Sequence, residues 1–141
     1  MYDKFKCDFY GIDISKDTLK SANERNKKGI SMKKIHLSIG NCCNMKYESD
    51  FFDTITSINT IYFWKDTSKG MSEIYRVLKK GGSFSNAFYS KEFLQGLKYT
   101  KEGFKYFDPE EIEALAKQVG FSKIIIKRIS NGKGFIVDCI K

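Results

Sequence analysis

Cys7-Asp8-Phe9-Tyr10-Gly11-Ile12-Asp13-Ile14-Ser15 decides how the rest of the chain is read. The run is apolar, holds Phe and Ile, and is bounded by turn residues, so it predicts a buried strand. The strand ends on an acid, Asp13. Ser15 then offers an N-cap, with Thr18 where a capping-box acid would sit. A helix is expected from there to about Lys28, stopped by Gly29.

Strands and helices continue to alternate. Lys34 to Ile39 reads as a second strand, closed by Gly40, and Phe51 to Asn59 as a third, rich in β-branched residues. Tyr62, Phe63 and Trp64 fall in the loop that follows. Met71, Ile74, Tyr75 and Leu78 recur at helical spacing, which predicts a helix over Thr67 to Leu78 ended by Gly81–Gly82. Ser83 to Phe88 follows as a strand. Asp108, Pro109 and Glu111 form a strong helix start, and Gly120 a stop. Ser122 to Ile129 and Gly134 to Ile140 predict a closing hairpin around Ser130–Lys133. The pattern is α/β: a Rossmann-like, mostly parallel sheet with a C-terminal antiparallel hairpin. Residues 1–141 read as one domain, with no linker or repeat.

Composition narrows the class. The 141 residues are 41% apolar, enough for one core. No stretch approaches the roughly 18 apolar residues of a membrane span, and no leader precedes the first strand, so a cytoplasmic location is expected. The net charge is +8. The basic residues, mostly Lys, are spread in pairs at helix ends and loops. That suggests a solvated surface rather than a nucleic-acid footprint. Cys7, Cys42, Cys43 and Cys139 form no Cys-x-x-Cys pair, and His36 is the single histidine, so no zinc site is expected. The thiols are expected to be reduced.

Ligands on such sheets bind at the carboxyl ends of the strands. Asp13 there could accept from both hydroxyls of a ribose, or simply cap the next helix. Asp53 lies early on its strand and reads as structural. His36 lies mid-strand and is expected as a buried core histidine.

In order along the chain, Gly11-Ile12-Asp13-Ile14-Ser15, Lys16 to Ala22, Gly40-Asn41-Cys42, Phe52 to Ser57, Glu73 to Gly82, and Gly120–Phe121 resemble the class I S-adenosylmethionine-dependent methyltransferases. The similarity points to the small-molecule branch that includes quinone-biosynthesis-type enzymes. The resemblance implies S-adenosyl-L-methionine as cofactor and a small-molecule methyl acceptor. It implies that Asp13 holds the ribose, Ile14 flanks the adenine, Asn41 accepts from the adenine amino group, and Cys42 meets the ring edge. Asn59 would lie near the methionine part, with Tyr62 and Trp64 lining the acceptor pocket. Asn41 departs from the family's usual Asp, and Lys80 from its usual Pro.

The family's first strand and glycine-rich loop have no counterpart in this sequence. The Gly132-Lys133-Gly134 triplet lies inside the hairpin. The family's first strand lies mid-sheet, and removing it would leave a gap of about 9.6 Å between strands about 4.8 Å apart. Three resolutions are open: Asp13's strand pairs directly with Phe52 to Asn59, another chain supplies the strand as a homodimer or partner segment, or the sequence is an N-terminally truncated piece. Cofactor binding is therefore expected to be weak or lost. A non-enzymatic interaction domain derived from a methyltransferase is the alternative.

Overall fold

In a computed structural model, which describes residues 6–100 and 102–141, the chain divides into two units, 1–46 and 47–141. In the first unit, β1 (Phe9–Asp13) runs parallel to β2 (Ile35–Ile39), from Phe9 beside Ile35 to Asp13 beside Ile39. Between them lies α1 (Lys16–Arg25), capped by Ser15, whose hydroxyl accepts from the Thr18 N–H at 3.2 Å. The expected single helix is broken. Asn26 ends α1, its side chain donating to the Ala22 carbonyl, and a short α2 (Lys27–Ser31) follows. Gly29 does not stop the helix; it lies buried within α2, and Lys33, at φ 55°, makes the left-handed turn into β2.

In the second unit the sheet order is β3-β4-β6-β5. β3 (Phe52–Ile58) is parallel to β4 (Leu78–Tyr89), and β6 (Gly134–Ile140) lies antiparallel between β4 and β5 (Lys123–Ile129). The C-terminal hairpin is thus as expected, turning through Asn131 at φ 54°. α3 (Thr67–Val77) is capped by Asp66, α4 (Lys91–Gln95) by Ser90, and α5 (Pro109–Val119) by the capping box of Asp108 and Glu111. Met71, Ile74 and Val77 of α3, Phe84 and Phe88 of β4, and Ile112 of α5 are buried in its core.

β4 begins five residues before the expected Ser83, directly at the end of α3. Gly81–Gly82 therefore serve the strand, not the helix stop. While β3 advances from Phe52 to Thr54, β4 advances from Leu78 to Ser83, so Lys79–Gly82 bulge out of the ladder. Gly82 permits the close return: a Cβ there would fall 2.8 Å from the Lys79 carbonyl oxygen and 3.0 Å from that of Asp53.

β1 has β2 as its strand neighbour and β3 has β4, among the described residues.

Candidate functional site

Asp13 ends β1, where the chain turns toward α1. Its Oδ1 accepts the Ser15 N–H at 2.8 Å, and its backbone carbonyl accepts the Gly40 N–H at 3.1 Å. One carboxylate oxygen thus shapes the turn; a carboxylate has about four lone-pair sites, so capacity for a ligand hydroxyl remains. Capping and ligand binding are compatible here. Next to it, Ile14 is 69% exposed, an apolar side chain at the strand's carboxyl end.

Asn41 to Asn44 form a tight turn after β2, closed by an isolated bridge between Asn41 and Asn44. The Asn44 N–H donates to the Asn41 carbonyl at 3.0 Å, and the Cys43 N–H donates to Asn41 Oδ1 at 2.9 Å. The oxygen expected to accept from adenine already accepts one backbone bond, and its second lone pair sets the limit for another. Burial, and then the neighbouring Cys43, push the Cys42 thiol up to about 12. A shallow groove of about 380 Å³ between α1 and β2 is lined by Lys16, Leu19, Lys20 and Ile39, with none of the expected site residues.

In the second unit Asn59 follows β3 in the left-handed region, at φ 55°. Its Oδ1 accepts from the Tyr62 hydroxyl at 3.3 Å, and its N–H donates to the Ala87 carbonyl at 2.8 Å. Tyr62 is only 2% exposed, and its hydroxyl also accepts the Tyr89 N–H. It therefore ties the end of β3 to the end of β4. Burial pushes its phenol up to about 12. Trp64, 7% exposed, donates to Thr60 Oγ1 at 3.2 Å and lies against Gly70. An Ala at 70 would place its Cβ 2.8 Å from Trp64 Cε3.

The exposed aromatic here is Phe63, packed edge-on to Phe104 at 4.7 Å, while Lys105 donates to the Trp64 and Lys65 carbonyls at 2.6 and 2.9 Å. Sequence reasoning missed Phe104 and Lys105. They come from a distant loop with no periodic pattern to mark them.

Other expectations divide. Asp53 makes a surface ion pair with Lys79 at 2.8 Å. His36 corrects the reading: it is exposed, not buried, and stacks on Tyr10 at 4.6 Å, on a sheet of only two strands. Arg76 explains the Glu73-x-x-Arg76 motif. It grips Glu73 at 2.8 and 2.9 Å, an interaction that holds the guanidinium charged, and donates to the Tyr47 carbonyl at 2.9 Å. None of the four cysteines forms a disulfide. Among the described residues no three His, Cys, Asp or Glu side chains gather as a metal cage, and no helix is long and apolar enough to cross a membrane.

Residues 1–85 match the family described as Methyltransferase domain. The chain belongs to the class I S-adenosylmethionine-dependent methyltransferase family. The methyltransferase domain is 34% identical over 83 residues to an uncharacterized methyltransferase of Bacillus subtilis, covering 59% of this chain and 44% of that one. It is 38% identical over 72 residues to a demethylmenaquinone methyltransferase of Bacteroides fragilis, covering 51% and 29%. The chain thus spans less than half the length of these two relatives. In fold it is similar to phosphoethanolamine N-methyltransferase 2 of Haemonchus contortus, solved with S-adenosylhomocysteine, at a TM-score of 0.83 and 20% identity over 99% of this chain and 45% of that one. The Rossmann-like α/β fold is therefore the family's.

How far this methyltransferase chain fits the family's cofactor can be tested on its own residues. A strand-end carboxylate with remaining acceptor capacity and an exposed Ile beside it suit an adenosine. For the methionine carboxylate no glycine cradle is offered among the described residues. Gly11 lies inside β1 with its Cβ position 2.8 Å from Leu37 Cδ2, and Gly132 and Gly134 flank the last turn.

Proposed function

We propose that the chain is a methyltransferase domain for a small-molecule acceptor, with the adenosine half of its cofactor site intact and the methionine half weak. The observation that carries this reading is Asp13, held at the carboxyl end of β1 by the Ser15 N–H with exposed Ile14 beside it. Asp13 binds the ribose hydroxyls, Ile14 flanks the adenine, Asn41 accepts from its amino group, and Cys42 meets its edge. When bound, the cofactor supplies an electrophilic methyl group. The protein's share is to orient the acceptor for in-line attack, and such positioning contributes up to about 7–11 kcal/mol without a dedicated base. The quinone methyltransferases among the relatives support a small-molecule acceptor.

Titration calorimetry with S-adenosylhomocysteine tests the reading. The chain alone should bind weakly, well above micromolar, or not measurably. At ligand concentrations where binding is seen, Asp13→Ala should weaken it about tenfold or more, roughly 1.4 kcal/mol. Micromolar affinity would refute the half-site, and an affinity unchanged in Asp13→Ala would remove Asp13 from the ribose role.

A second reading is favoured by the strand order. Gly11–Asp13 of β1 and Thr54–Ile58 of β3 lie on strands with one strand neighbour each among the described residues. Such edges accept a strand from another chain, here a second copy or a partner segment, by backbone hydrogen bonding. Light scattering across concentration decides this reading: mass should rise above that of one chain, and a strict monomer at all concentrations would end the homodimer.

A further inference from the structure

The outer side of β2 is an open strand edge beside a groove. Among the described residues β2 has β1 as its one strand neighbour. The Lys34 carbonyl accepts the Phe9 N–H, and the Gly40 N–H donates to the Asp13 carbonyl. In a parallel ladder alternate residues bond to the same neighbour, so the even-numbered residues of this stretch turn their backbone groups toward β1. Ile35, Leu37 and Ile39 turn theirs outward. Exposed edges are commonly blunted by Lys, Pro or a bulge. Ile35-His36-Leu37-Ser38-Ile39 carries no Lys or Pro, and its register with β1 runs without interruption.

The groove of about 380 Å³ between α1 and β2 lies beside this edge. Its apolar wall is Leu19 of α1 with Leu37 and Ile39 of β2, and Ile39 is 53% exposed. Lys16 and Lys20, one helical turn apart, line the same groove. No Asp or Glu lines it, and neither lysine has an ion-pair partner among the described residues.

These features together select one kind of occupant. Outward backbone groups take an extended chain by strand addition, and side chains at alternate positions of that chain then enter the groove. The apolar wall suits aliphatic side chains. Two unpaired ammonium groups favour carboxylates and disfavour a basic segment. A small amphiphile would use the groove and the lysines but not the strand edge.

We propose that β2 and α1 form a docking site for an extended peptide segment with aliphatic and acidic side chains at its groove-facing positions. The site lies on the side of β2 away from β1. It is therefore distinct from the free edges of β1 and β3, and it does not rest on the cofactor reading.

The test is fluorescence anisotropy of a labelled, end-capped heptapeptide, Val-Thr-Val-Thr-Glu-Thr-Glu or its reverse sequence, with the full chain and no nucleotide. One of the two should bind saturably, and more weakly as salt is raised. Replacing both Glu of the peptide by Lys should weaken binding about tenfold or more, and so should the double variant Lys16→Glu with Lys20→Glu, both at exposed positions. N-methylation of alternate peptide amides should abolish binding, which separates strand addition from adsorption on charge. Far-UV circular dichroism checks the variant. If it does not fold, the Lys-containing and N-methylated peptides, which leave the protein unaltered, carry the test. No saturable binding of either peptide, or equal binding of the Lys-containing or N-methylated forms, overturns the proposal. So does laurate bound with no peptide bound, which would mark an amphiphile site, and so does self-association lost in Ile39→Lys with no peptide bound, which would give the edge to a second copy.

Discussion

Tyr62 shows how much one hydroxyl can organise. It donates to Asn59 Oδ1 and accepts from the Tyr89 N–H, joining the ends of two parallel strands. Tyr62→Phe should lower stability by about 1 kcal/mol, read as a lower urea midpoint at unchanged slope. Its titration has a sign as well. Burial raises Tyr62 from 10.0 to about 12, and Cys42 and Cys139 from 9.0 to about 12. The unfolded chain releases these protons first as pH rises, so their contribution is fully present below about pH 9 and is lost between there and about pH 12. Stability measured across that window should fall, and between pH 10 and 12 the fall should be shallower in Tyr62→Phe. A slope identical to the unaltered chain would assign the loss to the thiols. Asp13 was legible at this scale because a strand-end acid has a local signature. His36 was not, because its exposure depends on which layer covers the strand.

Among the elements, the caps at Ser15 and Asp108 were read, whereas α4 with its Ser90 cap and the interruptions were not. Asp108, Pro109 and Glu111 satisfy the orphan N–H groups of α5 within four residues, so the signal is local. Asp108→Ala should cost about 1 kcal/mol, seen as a lower Tm, and an unchanged Tm would mean that packing alone holds the helix start. The break at Asn26 depends on a side chain bonding back to Ala22, which competes with helix continuation and leaves no periodic trace. Gly81–Gly82 carried an ambiguous signal. The same pair suits a helix stop or a bulged strand, and the approach of the Lys79 and Asp53 carbonyls selected the strand. Gly70→Ala tests a similar close contact: with Trp64 in the way, the variant should lose stability despite alanine's better helix propensity, and a gain in Tm would show that Trp64 can move aside.

Across the whole molecule the two units differ in what they bury. Residues 6–46 bury Leu19, Gly29 and Cys43 around a two-stranded sheet, whereas 47–141 bury residues of β4, β6, α3 and α5. Two-stranded sheets are marginal without covering layers. In hydrogen exchange on the full chain, amides of β1 and β2 should therefore exchange well before those of β4 and β6. Equal protection would show that the first unit draws stability from more than its own core.

The sequence by itself determined the succession of strands along the chain, the caps at Ser15 and Asp108, the closing hairpin and the family, because each rests on contacts or patterns within a short run of residues. It also marked Asp13, whose position at a strand end follows from that order. Tertiary structure decided the rest: that β1 and β3 lie in separate ladders, that Tyr62 serves as a buried tie, and that His36 faces outward. Each of these depends on which distant groups come within a few ångströms, and that distance is set by packing rather than by spacing along the chain.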